Sequence, residues 1–312
     1  MKCLVVDEMH DSLAPMLAAI GWECVYQPKI TRAEIIDIIP DYDGLIIRSK
    51  TRVDRELVGH ANKLKFVGRA GAGIDNLDEA VLKILNIRVL NAPEGNRNAV
   101  AEHTVGLALA LLNNLTIANE QVRQGVWDRE GNRGMELASQ TVGLLGYGFM
   151  GTAVAKKLTA LGCKVLVYDK YKRTTDNGLV SSVEMDQIFE EADIFSIHVP
   201  LTPETRNMID LNYLNQFKKS VVIINTARGE VLQLEGLLEA MKLGKVRSAG
   251  LDVLENEKLN NLTENQQMTF SKLIKSSKII LTPHVAGWSL ESYKRINEVL
   301  AEKIDAEINV NN

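Results

Sequence analysis

Residues 141–169 read TVGLLGYGFMGTAVAKKLTALGCKVLVYD, and no other stretch restricts the fold of this chain as tightly. An apolar run ends at Leu145, and Gly146, Gly148 and Gly151 follow at G-x-G-x-x-G spacing. A helical pattern succeeds them, then a second apolar run that ends in Asp169. The first glycine permits a tight strand-to-helix turn, the second lets a pyrophosphate approach the backbone, and the third lets helix and strand pack closely. The helix that begins there turns free N–H groups and the positive end of its dipole toward the phosphates. Asp169 lies 18 residues past Gly151, at a strand tip, where a carboxylate can accept both ribose hydroxyls. Strand, glycines, helix, strand and acid in this order specify dinucleotide binding. Gly146, Gly148, Phe149, Met150, Gly151 and Asp169 are the candidate cofactor residues. Asp169 favours NAD, because a 2′-phosphate would meet its charge, while Lys170, Lys172 and Arg173 leave NADP open.

At 312 residues the chain has room for about two domains, each with its own core. A formal net charge of −4 gives no basic footprint, so nucleic acid is not an expected partner. Cys3, Cys24 and Cys163 have neither metal-ligand nor C-x-x-C spacing, and read as reduced packing residues of a cytoplasmic protein with no metal site. The N-terminus, MKCLVVDEMHD, turns polar too soon for a signal peptide, and no apolar run approaches the ~20 residues of a membrane span.

Short apolar runs alternate with helical patterns along the whole chain, which argues for parallel sheets built from βαβ units. Runs at 3–6, 23–27, 44–47, 65–67 and 88–90, separated by helical patterns, make a complete small α/β domain ahead of the glycine motif. Residues 98–124 read as one long apolar helix that bridges domains or packs on a twin subunit. Further strands are expected at 194–199, 221–226, 248–253 and 279–282, and an amphipathic helix at 290–308 that returns to the first domain. The expected architecture is therefore α/β with two doubly wound parallel sheets: a flavodoxin-like substrate domain (1–97 and 285–312) and a Rossmann domain (98–284).

Ligands of open α/β sheets bind outside the carboxyl ends of the strands. Arg228 follows the run 221–226, Asp252 ends another, Glu257 comes shortly after, and His284 follows 279–282. An arginine, an acid and a histidine at neighbouring strand ends, downstream of a dinucleotide motif, make a plausible acid–base set for hydride transfer.

These residues lie in NTARG, in GLDV with a glutamate five residues past the aspartate, and in TPHVAG. Together with GRAGAGIDNLD, NAPEGNRNAVAEHT and HVPLTPETRNMI, they resemble the D-isomer-specific 2-hydroxyacid dehydrogenase family over nearly the whole chain. The resemblance implies that Arg228 grips the substrate carboxylate and keto oxygen with paired hydrogen bonds. His284 would be the general acid in reduction and base in oxidation, with Glu257 holding the imidazole and favouring its charged form. Backbone groups of Ala72 and Gly73 would bind the substrate carboxylate. Asp252 would face the nicotinamide carboxamide and Thr205 the cofactor phosphates, with Thr104, His198, Pro200 and Ala227 also on the cofactor side. His198 is expected to support a strand end rather than to catalyse, and His10, His60 and His103 read as ordinary surface or structural histidines. Dimerisation through the nucleotide domain is implied as well, with Arg129 reaching toward the partner's site. Asp7, at the first strand end, reads as a solvated cap.

The chain departs from the family pattern at three places. Gln233 and Leu234 stand where an acidic pair is usual at a helix start. Lys258 replaces a common proline, and 27 residues separate Glu257 from His284, which places a polar insertion loop at 255–277 and makes Glu255 a rival to Glu257. Trp288 stands where many relatives place a small hydroxyl residue, and would wall the pocket.

Arg48 and Arg69 end successive strands beside the Gly71–Ala72–Gly73 loop, with Lys50 adjacent, and such a cationic group could bind a phosphate. IIRSKT and GRAGAGIDN also resemble the phosphoglycerate dehydrogenase branch. The expected substrate is thus a phosphorylated 2-hydroxy acid, 3-phosphoglycerate, oxidised to 3-phosphohydroxypyruvate with NAD in the first step of serine synthesis. Arginines that only make ion pairs within the domain are the plain alternative. No regulatory extension follows Asn312, so control by serine has no expected seat. A reductase of glyoxylate, hydroxypyruvate or another small 2-keto acid is the alternative function. An NAD-sensing binding protein would leave the proton relay unexplained, and methyl transfer with a nucleoside cofactor would not use the arginine and histidine.

Overall fold

The structure, a computed structural model, describes residues 1–173 and 179–309. The chain divides into two compact units, Met1–Arg97 with Trp288–Asn312, and Asn98–Gly287. In the first, β1 (Lys2–Val5), β2 (Glu23–Tyr26), β3 (Gly44–Ile47), β4 (Phe66–Arg69) and β5 (Arg88–Asn91) form an all-parallel sheet in the order β2-β1-β3-β4-β5. That order is flavodoxin-like, with its switch point between β1 and β3. Strands covered on both faces must be apolar throughout, and Leu45, Ile46 and Ile47 of β3 are wholly buried. Helices α1 (Leu13–Ala19), α2 (Arg32–Ile38), α3 (Arg55–Val58) and α4 (Glu79–Ile84) make the crossovers. Thr31 and Glu34 start α2 with a reciprocal capping box.

Helix α5 (Pro93–Leu112) carries the chain into the second unit. The single helix expected over 98–124 is two: Asn114 adopts a left-handed φ of 50°, and α6 (Leu115–Arg123) departs at 58°. Asparagine tolerates that conformation better than other non-glycine residues, which is why the break falls there. Ala101, Val105, Leu107, Ala108 and Leu112 of α5 are core residues, whereas α6 buries none of its own. Among the described residues no single helix is long and apolar enough to cross a membrane.

The second unit contains β6 (Thr141–Leu145), β7 (Lys164–Tyr168), β8 (Val180–Ser182), β9 (Ile194–Ile197), β10 (Val221–Asn225), β11 (Val246–Leu251) and β12 (Ile279–Leu281). They form one parallel sheet in the order β12-β11-β10-β9-β6-β7-β8, with the reversal of a Rossmann fold between β6 and β9. The short edge strand β8 has no counterpart among the expected strands. Side chains alternate strictly between two cores: Val221 and Ile223 of β10 pack on one face with Phe195 and Phe217, Val222 and Ile224 on the other with Val105 and Val154. Helices α7 (Phe149–Ala160), α8 (Met185–Glu191), α9 (Leu211–Asn215) and α10 (Leu234–Lys242) cover the sheet.

Residues 255–277 are not the polar loop expected. They hold helix α11 (Glu264–Leu273), opened by a Thr263/Gln266 capping box and docked through buried Leu273 and half-buried Phe270. The chain then rejoins the first unit as α12 (Leu290–Ile304), which ends four residues short of the expected 308 and passes into a wider turn. Ile296, Leu300 and Ile304 of α12 pack with Trp22 and Phe66.

Candidate active site

The glycine turn of the second unit has the shape a pyrophosphate needs. Gly146 has φ +96°, and a Cβ there would lie 2.6 Å from the His198 carbonyl oxygen; one on Gly151 would lie 2.1 Å from the Gly146 carbonyl oxygen. Those contacts leave no room for a side chain, so the turn closes only with glycine. Nothing lies within 4 Å of a Cβ built on Gly148, and no side chain caps the N-terminus of α7 there, so the N–H groups of Phe149 and Met150 belong to an open helix end. The Asp169 carboxylate is fixed by the backbone amides of Tyr147 (2.6 Å), Tyr171 (2.9 Å) and Lys172 (3.0 Å). An oriented carboxylate beside an open helix N-terminus fits a dinucleotide. The three cations that left NADP open are engaged elsewhere. Lys170 pairs with Glu204, Arg173 with Glu184, and the Lys172 ammonium lies 5.2 Å from the centre of the Tyr147 ring.

His284 and Glu257 come together across 27 residues: Nδ1 lies 2.9 Å from Oε1 and 3.0 Å from Oε2 of the carboxylate, with both side chains about half exposed. With Nδ1–H donating to the carboxylate, Nε2 is left to exchange a proton. His284 has φ +55°, a left-handed conformation rare outside glycine and asparagine. Asp252 holds it there. Its backbone carbonyl accepts from the His284 amide (2.7 Å), and its buried carboxylate accepts from the Thr282 hydroxyl (2.6 Å) and the amides of Val285 (2.9 Å) and Ala286 (2.8 Å). Leaving those donors unsatisfied would cost about 1–3 kcal/mol each. In this unit Asp252 is thus an anchor for the His284 turn.

His103, expected to be ordinary, belongs to this assembly. Its Nε2 lies 3.0 Å from Thr282 Oγ1 and 3.6 Å from Asp252, and since the Thr282 hydroxyl donates to Asp252, His103 is its donor. Helix and strand end are 179 residues apart, and no local pattern joins them. Thr104, next in α5, is buried, and its hydroxyl donates to the Val100 carbonyl and meets that of Thr226. Thr205 likewise closes its own loop by donating to the Pro200 carbonyl at 2.7 Å.

The rivalry of Glu255 and Glu257 resolves geometrically. Glu255 turns away to accept from the Leu234 amide at 2.8 Å, and burial pushes its carboxyl above the usual range. Gln233, the N-cap residue of α10, makes no side-chain cap. Glu255 therefore supplies from another strand end the acid missing at this helix start. Arg228, half-buried, donates to the Ala227 carbonyl at 2.7 Å, while Asn225 ties the turn by donating to the Arg228 carbonyl and accepting from the Ala227 amide. Gly229 packs so closely on the next strand's loop that a Cβ would lie 1.9 Å from the Leu254 carbonyl oxygen. The Arg228 turn and the segment leading to Glu257 are therefore in backbone contact.

In the first unit, Asp7 and Arg48 follow β1 and β3 at the switch point. Asp7 is buried rather than solvated, because its carboxylate accepts from the Arg48 amide. The Arg48 guanidinium lies 3.8 Å above the Trp288 ring and 5.3 Å from that of Tyr293, and burial pulls it below its usual value. Lys50 leaves the expected cationic group: its ammonium donates to the carbonyls of Val6, Pro28 and Ile30 and so ties loops together. Arg69 donates to the Ala70 carbonyl at 3.4 Å. Asn91 holds the Ala72 carbonyl at 2.7 Å, while the amides of Ala72 and Gly73 donate to no acceptor among the described residues.

His198 sits at the end of β9 with Nε2 bonded to Ser196, and Nδ1 has no partner among the described residues. Burial pushes its pKa down to about 4. Because the folded state holds this ring neutral, the unfolded chain binds the extra proton, so stability is complete above about pH 6.5 and is lost as pH falls toward 4. Melting curves of the cofactor-free protein should show this loss, about 3 kcal/mol, and His198→Gln should flatten it. Parallel curves for the two proteins would assign the acid sensitivity elsewhere.

Comparison with known proteins identifies the family. The sequence profile of the D-isomer specific 2-hydroxyacid dehydrogenase NAD binding domain matches residues 105–286. The hydroxypyruvate reductase of Thermotoga maritima is 37% identical over 286 residues, which cover 92% of this chain and 91% of that protein. The D-3-phosphoglycerate dehydrogenase of Methanocaldococcus jannaschii is 36% identical over 97% of this chain but only 56% of its own length, so the chain spans about half of that relative. The D-lactate dehydrogenase of Aquifex aeolicus, solved with NAD and lactic acid, superposes with a TM-score of 0.82 at 26% identity, covering 99% of this chain and 96% of that one. With its Rossmann sheet, its NAD-binding glycine turn and these relatives, the chain belongs to the D-isomer-specific 2-hydroxyacid dehydrogenase family, NAD-dependent oxidoreductases.

Proposed function

We propose that the protein oxidises 3-phosphoglycerate to 3-phosphohydroxypyruvate. The observation that carries this reading is Arg48. Its guanidinium stands at the switch point of the first sheet, and among the described residues no carboxylate lies within ion-pair distance of it. The alternative of an internal ion pair therefore lacks a partner for Arg48. Likeness to phosphoglycerate dehydrogenases over 97% of the chain supports the same reading.

NAD, when bound, supplies the hydride acceptor. Arg228 would bind the carboxylate and the oxygen at C2 with its paired donors. His284 Nε2 would take the C2 hydroxyl proton as the C–H bond gives up hydride, and would return it in reduction. Glu257, on Nδ1, would stabilise the imidazolium formed. The free amides of Ala72 and Gly73 would receive a substrate carboxylate, and Arg48 with Arg69 the phosphate. Exposed Leu115, Val122, Val126 and Trp127 on and after α6 support a homodimer built on that face.

The reductase reading also has support, since the Thermotoga maritima hydroxypyruvate reductase matches over nearly its full length. Purified protein with NADH should reduce 3-phosphohydroxypyruvate with a higher kcat/KM than hydroxypyruvate or glyoxylate. Turnover of the unphosphorylated acids alone would reverse the assignment. His284→Ala should lower kcat by at least about 100-fold with NAD binding retained. Glu257→Gln should also lower kcat, whereas Glu255→Gln should cost about 1 kcal/mol of stability and little rate. Light scattering should give the mass of two chains, and Trp127→Asp should shift it toward one; a monomeric parent protein would remove the α6 proposal.

A further inference from the structure

The tail helix brings an aromatic pair against Arg48. Trp288 precedes the N-cap of α12, where Ser289 and Ser292 close a reciprocal capping box, so the backbone that carries the indole is fixed. Asn297, one turn further along, donates to the His10 carbonyl and to Ser12 and ties α12 to the loop after β1. The Trp288 and Tyr293 rings pack with centroids 5.0 Å apart, and His10 stands edge-on to Tyr293 at 5.7 Å. Against this stack lies the guanidinium of Arg48, 3.8 Å from the indole centroid. Its polar contacts within the protein are the Glu8 carbonyl, a long 3.5 Å from Nη1, and the hydroxyl of Tyr293. Asp7 accepts from the Arg48 amide through one oxygen and lies 3.8 Å from the Lys50 ammonium through the other.

A guanidinium stacked on an aromatic face keeps its charge and its in-plane N–H donors while losing rotational freedom. The N–H donors not taken by Tyr293 and the Glu8 carbonyl can bond an anion edge-on. We propose that Trp288, supported by Tyr293, is a specificity-determining positioning residue, which holds Arg48 flat so that its edge receives the anionic substituent of the substrate. The proposal rests on Arg48 being a substrate-binding residue. It adds that discrimination between charged and uncharged substituents depends on the indole of Trp288.

Kinetics with NADH on 3-phosphohydroxypyruvate and hydroxypyruvate test it in Trp288→Ala, Trp288→Phe, Arg48→Ala and the double variant. Trp288→Ala should raise KM for the phosphorylated acid about tenfold, the scale of a desolvated cation–π contact, with kcat and the hydroxypyruvate KM little changed. Trp288→Phe, which keeps a flat face, should recover most of the loss. In the Arg48→Ala background, Trp288→Ala should add nothing, because its effect runs through the arginine. Equal effects on both substrates, multiplying effects in the double variant, or a tighter phosphorylated substrate in Trp288→Ala would each overturn the proposal. A parent protein that reduces hydroxypyruvate but not its phosphate removes the phosphate reading and this proposal with it, whereas undiminished preference for the phosphorylated acid in Trp288→Ala removes this proposal alone.

Discussion

The buried carboxylate of Asp252 is the interaction on which the reactive end of the second unit depends. Its two oxygens take three donors, and its own carbonyl takes the His284 amide, so the turn after β12 has one geometry. Without that anchor a histidine at φ +55° would relax toward ordinary backbone, and Nδ1 would leave Glu257. Thr282 and His103 extend the same anchor to α5. A charge this deeply buried is tolerated because donors satisfy it.

Legibility in the sequence followed the range of the interaction. The glycine turn, the strand ends and the positions of Arg228 and His284 were readable because each depends on a local pattern: a turn that admits no Cβ, or an apolar run buried on two faces. Residues whose partners lie far along the chain were not. Glu255 and Glu257 are chemically alike and two positions apart, and only folding shows that one caps α10 while the other meets His284. Lys50 stands between two strand ends like an anion ligand, yet three carbonyls from distant loops hold it. The break in the long apolar helix rested on one residue, Asn114, whose left-handed φ the apolar periodicity conceals.

The polar segment 255–277 is folded rather than looped. It holds α11, which carries its own capping box and reaches α10 through Thr269, whose hydroxyl donates to Glu235 at 3.3 Å. Asn256, beside Glu257, donates to the Asn261 carbonyl and to the Gln266 side chain, so this helix steadies the loop that carries the carboxylate. The missing acid at the start of α10 is replaced from the same loop by Glu255.

The return of α12 to the first unit has a consequence for synthesis. Trp22, Phe66 and Leu17 finish their core only with Ile296, Leu300 and Ile304. On a ribosome adding 5–20 residues per second, the roughly 200 residues between β5 and α12 take on the order of 10–40 s. Throughout that interval the nascent first unit exposes one apolar face. The Rossmann sheet, contiguous in sequence, can close meanwhile, so the half of the protein made first is the half completed last.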